Sequence, residues 1–428
     1  MQAKRLLYKN GATGILVPDP DATSVTLMVF VPVGSRHEQA PINGASHFLE
    51  HLMFKGTRRR PTTLDLSRAL DRYGAEYNAF TGKDLTAYYI KIDASQVELA
   101  IDLLSDMLFH SQFDPKEIER ERGVIVEEIN MYEDNPRMHI DDLLEQALFP
   151  DHPLGWSIAG PREVIRSITR EHLLAYHAEH YHPSNMTVSL AGKITPRSAA
   201  LLERSFGLIK KKRPTVQAPV PFVQPATLEH PILFQQKKTE QVQLGMAFYG
   251  FPHKHVSLPA TILLSTILGG SMSSRLFIQV RERRGLCYSI SASHHPMHDT
   301  GVFSILAGLE RSRVDEAIRV VWQELQRIQR TPVDHEELRR AKDHIRGKLM
   351  LAFEDSSSRA DWYGRQWAME GSMETPEQWL GHIDHVTAKG LQKVAKELFL
   401  REKMAAALIG PYEHDKEFRG WFGLGHGA

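Results

Sequence analysis

The sequence predicts an α+β protein made of two homologous α/β-sandwich domains, each a mostly antiparallel sheet with helices on one side, related by internal duplication. Three observations predict it. Apolar, β-branched runs alternate with amphipathic helical stretches along the chain. The same order of segments then recurs at an offset of 217–220 residues. Between the two runs lies a join, Lys210 to Pro225, with a basic stretch followed by Pro214, Pro219, Pro221 and Pro225. The expected boundaries are 1–212 for the first domain, 213–232 for a proline-rich linker and 233–428 for the second domain.

Each element has a local reason. Ser24 to Val31 (SVTLMVFV) is apolar on both alternating faces, which predicts a strand covered on both sides. Gly44 to Lys55 has helical apolar spacing and no proline. Thr62 to Tyr73 reads as a second amphipathic helix, with Thr62 as its cap and Gly74 ending it. Glu76 to Phe80 and Ala87 to Ile92 read as strands of a hairpin that turns through Thr81-Gly82-Lys83-Asp84. Ser95 to Phe109 places Val97, Ile101, Leu104 and Leu108 on one helical stripe. Asp114-Pro115 supplies an N-cap and first-turn proline for a helix reaching to about Tyr132. Met186 to Gly192 is a further strand.

The second copy is anchored four times. Val25 matches Val242 in the predicted strand Gln241 to Tyr249, and Ser95-x-Val97-Glu98-x-Ala100-Ile101 matches Ser312-x-Val314-Asp315-x-Ala317-Ile318, both at 217. Asp114 with Glu117-Ile118 matches Asp334 with Glu337-Leu338 at 220, and Gly192 matches Gly410 at 218.

Composition narrows the function classes. Hydrophobic residues make up 42% and charged residues 24% of 428, as in soluble globular proteins. With 52 basic and 52 acidic residues, nothing favours nucleic acid or an anionic membrane as partner. Cys287 is the only cysteine, which excludes an internal disulfide and a cysteine-built zinc site. No apolar leader and no run of about 18 apolar residues occurs, so a cytoplasmic location is expected.

The chemistry concentrates in His47-Phe48-Leu49-Glu50-His51. On a helix His47 and His51 are i and i+4, so both imidazoles leave one face and can share a metal ion. Glu50 lies beside that face without displacing either ligand. Two imidazoles and a carboxylate suit zinc, and a spare Glu beside an open coordination position suits a general base. This is the H-x-x-E-H order. Alone, the pattern is also what two surface histidines and an unrelated Glu would give. The duplication decides between them: at offset 217 these positions are Leu264, Ile267 and Leu268, so the fold does not require polar residues there.

A hydrolytic zinc needs a third protein ligand. The predicted helix Asp114 to Tyr132 offers Glu117, Glu119, Glu121, Glu127 and Glu128. Glu121 and Glu128, seven apart, share a face, whereas Glu127 is turned about 100° from Glu128. Glu128 corresponds to Lys348 at offset 220, a change where the metal motif is also missing.

The stretches HFLEHLMFKGT, GAEYNAFTGKDLTAYY and RERGVIVEEINMYED resemble the inverted-motif zinc metallopeptidases, the family of pitrilysin, insulin-degrading enzyme and the mitochondrial processing peptidase β subunit. LGGSMSSRLFIQVRERRGLCYS in the second half resembles that family's Gly-rich segment and Arg-to-Tyr pair. The resemblance spans nearly the whole chain. It implies one Zn2+ per chain held by His47, His51 and Glu128, with Glu50 as general base, Glu121 supporting the site and Glu127 as the fallback ligand. Asn78 and Ala79 fall on the edge strand that pairs with substrate backbone, and Arg281 and Tyr288 on the pair that helps hold the scissile carbonyl. The implied activity is a zinc endopeptidase acting on short or unfolded peptides in an enclosed chamber. Large family members carry four such domains. A two-domain chain with both elements implies a homodimer with a composite active site; a heterodimer with a non-identical subunit is the alternative, as is a non-catalytic scaffold role. A zinc hydrolase of non-peptide amides would use the same metal chemistry.

Other features read as structural. His172, His177, His180 and His182 lack a partner carboxylate in pattern, and His294, His295, His382 and His385 read as surface or packing residues. Cys287 reads as buried, Gly269-Gly270 lacks the G-K-[ST] ending of a phosphate loop, and Arg58-Arg59-Arg60 reads as a solvated turn.

Overall fold

Strand formation follows the apolar β-branched runs. In the computed structural model, which describes residues 3–210, 218–228, 231–414 and 416–422, the first sheet holds β1 (Lys4–Leu7), β2 (Thr13–Pro18), β3 (Ser24–Val31), β4 (Glu76–Thr81), β5 (Thr86–Asp93) and β6 (Thr187–Gly192). Their order is β1-β2-β6-β3-β5-β4. The second sheet holds β7 (Ile232–Gln236), β8 (Gln241–Gly250), β9 (Cys287–Pro296), β10 (Gly301–Glu310) and β11 (Met404–Gly410), ordered β7-β11-β8-β10-β9. Apart from β1, the two orders are one pattern repeated. In both, one pair is parallel (β2 with β6, β7 with β11) and the rest are antiparallel. The duplication seen in the sequence is therefore a duplication of topology.

The chain packs as two units that do not follow its halves. One takes the chain up to Ile129, Trp156–Val220 and Leu349–Thr375; the other takes Asn130–Gly155, Pro221–Lys348 and the chain from Pro376. Of the expected linker, residues 213–217 and 229–230 lie outside the described residues. Residues 218–228 form neither helix nor strand, and Ile232 already belongs to β7.

In the first unit, one face of the sheet (Val25, Leu27, Val29, Val31) is covered by Phe48, Leu49 and Leu52 of α1 (Ala45–Leu52). Beside them, α2 (Thr63–Asp71) contributes Leu66 and Leu70, and α3 (Val97–His110) contributes Ile101, Leu104 and Leu108. Thr62 does cap α2, accepting from the Asp65 N–H. Each large aliphatic or aromatic side chain so buried contributes about 1.5–3 kcal/mol. The other face (Ile15, Val17, Met28, Phe30, Ala87) is covered by Ala360 and Tyr363 of the helix Ser356–Glu370, from the second half of the chain. Thr26 and Ser356 share a buried hydroxyl hydrogen bond of 2.8 Å, and Arg359 pairs with Asp19 at 2.7 Å.

The second unit reverses the loan. After α4 (Pro115–Asp134), the helix α5 (Pro136–Leu148) buries Ile140, Leu144, Ala147 and Leu148 against Tyr249 of β8 and Ala405, Ala407 and Ile409 of β11. Tyr249 Oη donates to the Leu148 carbonyl at 2.6 Å. The two lent helices occupy equivalent places in the two copies. Both faces of β3 are buried, as its largely apolar run predicted, and the second face is met by one borrowed helix. Among the described residues, no helix is long and apolar enough to cross a membrane.

Candidate metal centre

α1 turns two kinds of side chain to two sides. Ala45, Phe48, Leu49 and Leu52 enter the core, while His47, Glu50 and His51 line the remaining, half-buried face. Their equivalents in the second unit, Leu264, Ile267 and Leu268 on the helix Leu258–Gly269, are all buried. The imidazoles of His47 and His51 sit edge to face, with centroids 4.6 Å apart.

α4 brings the third group. Ile118, Ile125 and Ile129 fix its core side, and Glu128 then points at the imidazoles. Its Oε2 is 3.6 Å from His47 Nε2 and 3.4 Å from His51 Nε2. Among the described residues, His47, His51 and Glu128 form the one group able to hold a metal ion, with their ligand atoms within 4.8 Å of one another. Glu127, the neighbouring alternative, is solvent-exposed and is not in this group.

The hydrogen bonding states what the group lacks. Glu121 is buried on the same helix, and its Oε2 lies 3.1 Å from His51 Nδ1. An ionised carboxylate only accepts, so His51 Nδ1 carries a proton, which leaves Nε2 as the nitrogen available to a metal. Nε2 faces Glu128 Oε2. Acceptors converging on one point call for a cation, and two imidazole nitrogens with one carboxylate oxygen suit zinc. Without a metal, a proton on His51 meets that demand. Burial pushes the imidazole of His51 down, but Glu121 and Glu128 overcome this and raise it to about 9. His47 is pushed down to about 4 by burial and then by the charge of His51.

Glu50 is the remaining polar group on this face. Thr81 Oγ1, at the end of β4, donates a short hydrogen bond to its Oε2. Burial raises the Glu50 carboxyl above its ordinary value, and the Thr81 bond opposes that rise. Lys55, one turn beyond His51, pairs with Glu121 Oε1 at 2.7 Å.

The start of α1 is held from outside the helix. Gly44, its N-cap, has no side chain to offer and adopts φ +99°; a Cβ there would stand 2.6 Å from the Ala159 carbonyl oxygen. The orphan N–H groups turn instead to Glu38, which is 4% exposed. Its Oε2 accepts from Gly44 N (2.7 Å) and Asn43 Nδ2 (2.8 Å), and its Oε1 from Ser46 N (2.7 Å).

β4 is an edge strand, bonded to β5 on one side. Asn78 is exposed and Ala79 buried, and the Ala79 N–H is taken by Asn78 Oδ1 at 2.9 Å. Arg281 and Tyr288 lie in the second unit, where the Arg281 guanidinium stands 5.4 Å from the Tyr288 ring centroid and 4.7 Å from that of Phe277. Tyr288 is 70% exposed at the start of β9, itself an edge strand.

Three residues of the site were not read from the sequence. Lys55 had a signal in the predicted helix 44–55, where it is i+4 from His51, although α1 ends at Leu52 and Lys55 lies in the turn after it. Thr81 was assigned only to a turn, and Glu38 had no local signature. The Arg run needs correcting as well: Arg59 and Arg60 both pair with Asp102 and with the fully buried Asp106. It latches the loop after α1 to α3. Three of the remaining histidines have hydrogen-bond partners away from this centre. His177 Nε2 meets the Leu108 carbonyl (3.1 Å), His182 Nδ1 meets Ser184 Oγ (2.9 Å), and His294 Nε2 accepts from Phe251 N. Cys287 is buried, and burial pushes its thiol up to about 11.

Comparisons with known proteins find relatives named zinc proteases. Residues 15–162 match the model of the insulinase peptidase family M16, and residues 167–345 match the M16 inactive domain. The chain is 35% identical over 408 residues to the uncharacterized zinc protease YmxG of Bacillus subtilis, covering 95% of this chain and 98% of that protein. It is 35% identical over 396 residues to an uncharacterized zinc protease of Mycobacterium tuberculosis, covering 92% and 90%. Its fold resembles the crystal structure of a protease from Helicobacter pylori, with a TM-score of 0.91 at 21% identity over 96% of this chain and 99% of that one. An M16 inactive-domain structure from Pseudomonas fluorescens gives 0.88 at 19% identity, over 96% and 98%.

Proposed function

The chain belongs to peptidase family M16, and on that premise we propose that it is a zinc-dependent endopeptidase for short or unfolded peptides. The observation that carries the reading is the convergence of His47, His51 and Glu128 beside Glu50. These three residues would hold one zinc ion per chain. Zinc in this place supplies a Lewis acid beside a water and a peptide carbonyl.

The protein's own groups account for the proton. Thr81 Oγ1 engages Glu50 Oε2, so Oε1 is the atom that takes the proton of the attacking water and hands it to the leaving amine nitrogen. Glu121 holds His51 in the tautomer that frees Nε2. Substrate adds as a strand to the open edge of β4 at Asn78 and Ala79, which reads backbone rather than side chains. For that, Asn78 Oδ1 gives up the Ala79 N–H. Tyr288 and Arg281 serve as donors to the developing oxyanion, provided in a homodimer by the partner chain, and the reaction takes place in an enclosed chamber. The second reading, a non-catalytic or processing-type subunit working with a non-identical partner, draws on the match of residues 167–345 to the M16 inactive domain.

The test is metal analysis with turnover of a quenched peptide. The wild-type chain is expected to carry zinc and cleave. Glu50→Gln is expected to keep the metal and lose cleavage. Turnover by metal-loaded Glu50→Gln would remove Glu50 as the base, and zinc without any cleavage in the wild type would favour the non-catalytic reading.

A further inference from the structure

The residues from Gly34 to Glu38 touch both working parts of the centre. On one side, Glu38 replaces the cap that Gly44 cannot provide and holds the first turn of α1, within one residue of His47. On the other side, the backbone N–H groups of Ser35 and Arg36 donate to the carbonyls of Gly82 and Lys83 at 3.1 Å each, and the fully buried Arg36 pairs with Asp84 at 3.0 Å. Residues 82–84 form the turn between β4 and β5. The approach is so close that a Cβ on Gly34 would lie 2.1 Å from the Gly82 carbonyl oxygen. Thr81, the last residue of β4, closes the ring by its bond to Glu50 on α1.

We propose that residues 34–38 are a bracket that sets the separation between the metal-and-base helix and the substrate edge strand. Glu38 is the positioning residue for the helix and Arg36 the positioning residue for the strand. The proposal rests on the zinc-peptidase reading and adds two residues to it. Its physical basis is that α1 has only eight residues. So short a helix has no intrinsic stability in water and takes its orientation from its contacts. Three hydrogen bonds at its start, from the Asn43 side chain, the N-cap Gly44 N–H and the Ser46 N–H, end on one buried carboxylate. A bent or translated α1 would move His47, Glu50 and His51 together. A shifted 82–84 turn would instead move the edge that receives peptide. The two arms of the bracket therefore have separate kinetic signatures.

The experiment uses the full chain, a quenched peptide and competition for zinc by a chelator. Glu38→Gln preserves size but presents an amide N–H2 group to N–H donors. It is expected to weaken zinc retention by about tenfold and lower kcat by about tenfold at saturating zinc, with KM within about twofold. Arg36→Lys keeps the charge and loses the forked contact to Asp84 and the Val220 carbonyl. It is expected to raise KM by about fivefold, with zinc retention within about twofold. If both variants change only thermal stability or yield, while kcat, KM and zinc retention of the loaded enzyme stay at wild-type values, the bracket is merely structural and the proposal is overturned. It is overturned too if both variants move kcat and KM alike. Should Glu38→Gln not fold, Asn43→Ala, which removes one of the three donors to Glu38, must shift zinc retention and kcat in the same direction by about two- to threefold. Unchanged values there refute the assignment. A wild-type chain without zinc or cleavage would instead defeat the zinc-peptidase reading itself, so the two failures are told apart by the wild-type control.

Discussion

Removal of the Glu121 carboxylate is the sharpest perturbation of the centre short of deleting a ligand. Glu121 is 2% exposed, accepts from His51 Nδ1 at 3.1 Å and pairs with Lys55 at 2.7 Å. A hydrogen bond to a charged group is worth about 1.5–3 kcal/mol. Groups that orient metal-bound histidines typically change metal affinity by about 10–100-fold, which is about 1.4–2.7 kcal/mol. The two figures agree, so Glu121→Gln should release zinc to a chelator about 10–100-fold more readily. Lys55 sharpens the logic. Its ammonium is a positive charge near a site that must accept another, so Lys55→Met should leave zinc retention within about twofold of wild type or tighten it. Chelator competition at fixed pH and ionic strength reads both. If Lys55→Met loosens zinc as much as Glu121→Gln does, the pair acts as a mechanical staple for α1 and α4. The electrostatic account of Glu121 would then be wrong.

Three further outcomes are expected. Glu128→Gln should weaken zinc retention far more than Glu127→Gln, because only Glu128 has its carboxylate by the imidazoles; the reverse ranking, read by the same competition, would move the ligand by one residue. In the second unit, burial first and then the neighbouring His295 and His253 push His294 down to about 3. Its folded state stays neutral while the unfolded chain protonates below about pH 6.5. His294 therefore adds no pH dependence above pH 6.5 and opposes folding increasingly as the pH falls toward 3, by at most about 1.4 kcal/mol per pH unit. Denaturant midpoints of wild type and His294→Gln across that range should converge at low pH, and parallel profiles would refute it. Finally, mixing inactive Glu50→Gln with inactive Arg281→Ala/Tyr288→Phe should restore roughly a quarter of wild-type turnover, since half of randomly paired dimers are mixed and each has one repaired site. Background activity after subunit exchange proven by mass spectrometry would rule out a shared site.

Much of this architecture was legible because its causes are local. Ser24–Val31 is apolar from Leu27 onward on both alternating faces, which reads as a strand with both faces covered. His47 and His51 needed nothing but helical periodicity to share a face. The duplication supplied the contrast that gave the motif meaning, since Leu264, Ile267 and Leu268 show what the same helix does when it has only to pack. Contacts distant in sequence were not legible. Thr81 reaches Glu50 across 31 residues and Lys83 reaches the Trp156 carbonyl across 73, and neither spacing leaves a periodic trace. The arginine run at 58–60 looked solvated because its partners, Asp102 and Asp106, sit a helix away on α3. An offset of about 220 residues identifies equivalent helices, but it carries no information about which sheet each one covers.

The lending of helices between halves fixes an order of events during synthesis. Thr26 waits for Ser356, its hydrogen-bond partner 330 residues later. At about 5–20 residues per second of translation, that wait is roughly 15–70 s. Throughout it, the face of the first sheet bearing Ile15, Val17, Met28 and Phe30 has no cover of its own. A nascent chain in that state is a natural client for a holding chaperone. A gene cut at the proline-rich join would make the state permanent, so fragments ending near residue 212 should be insoluble although they contain every residue of the metal centre.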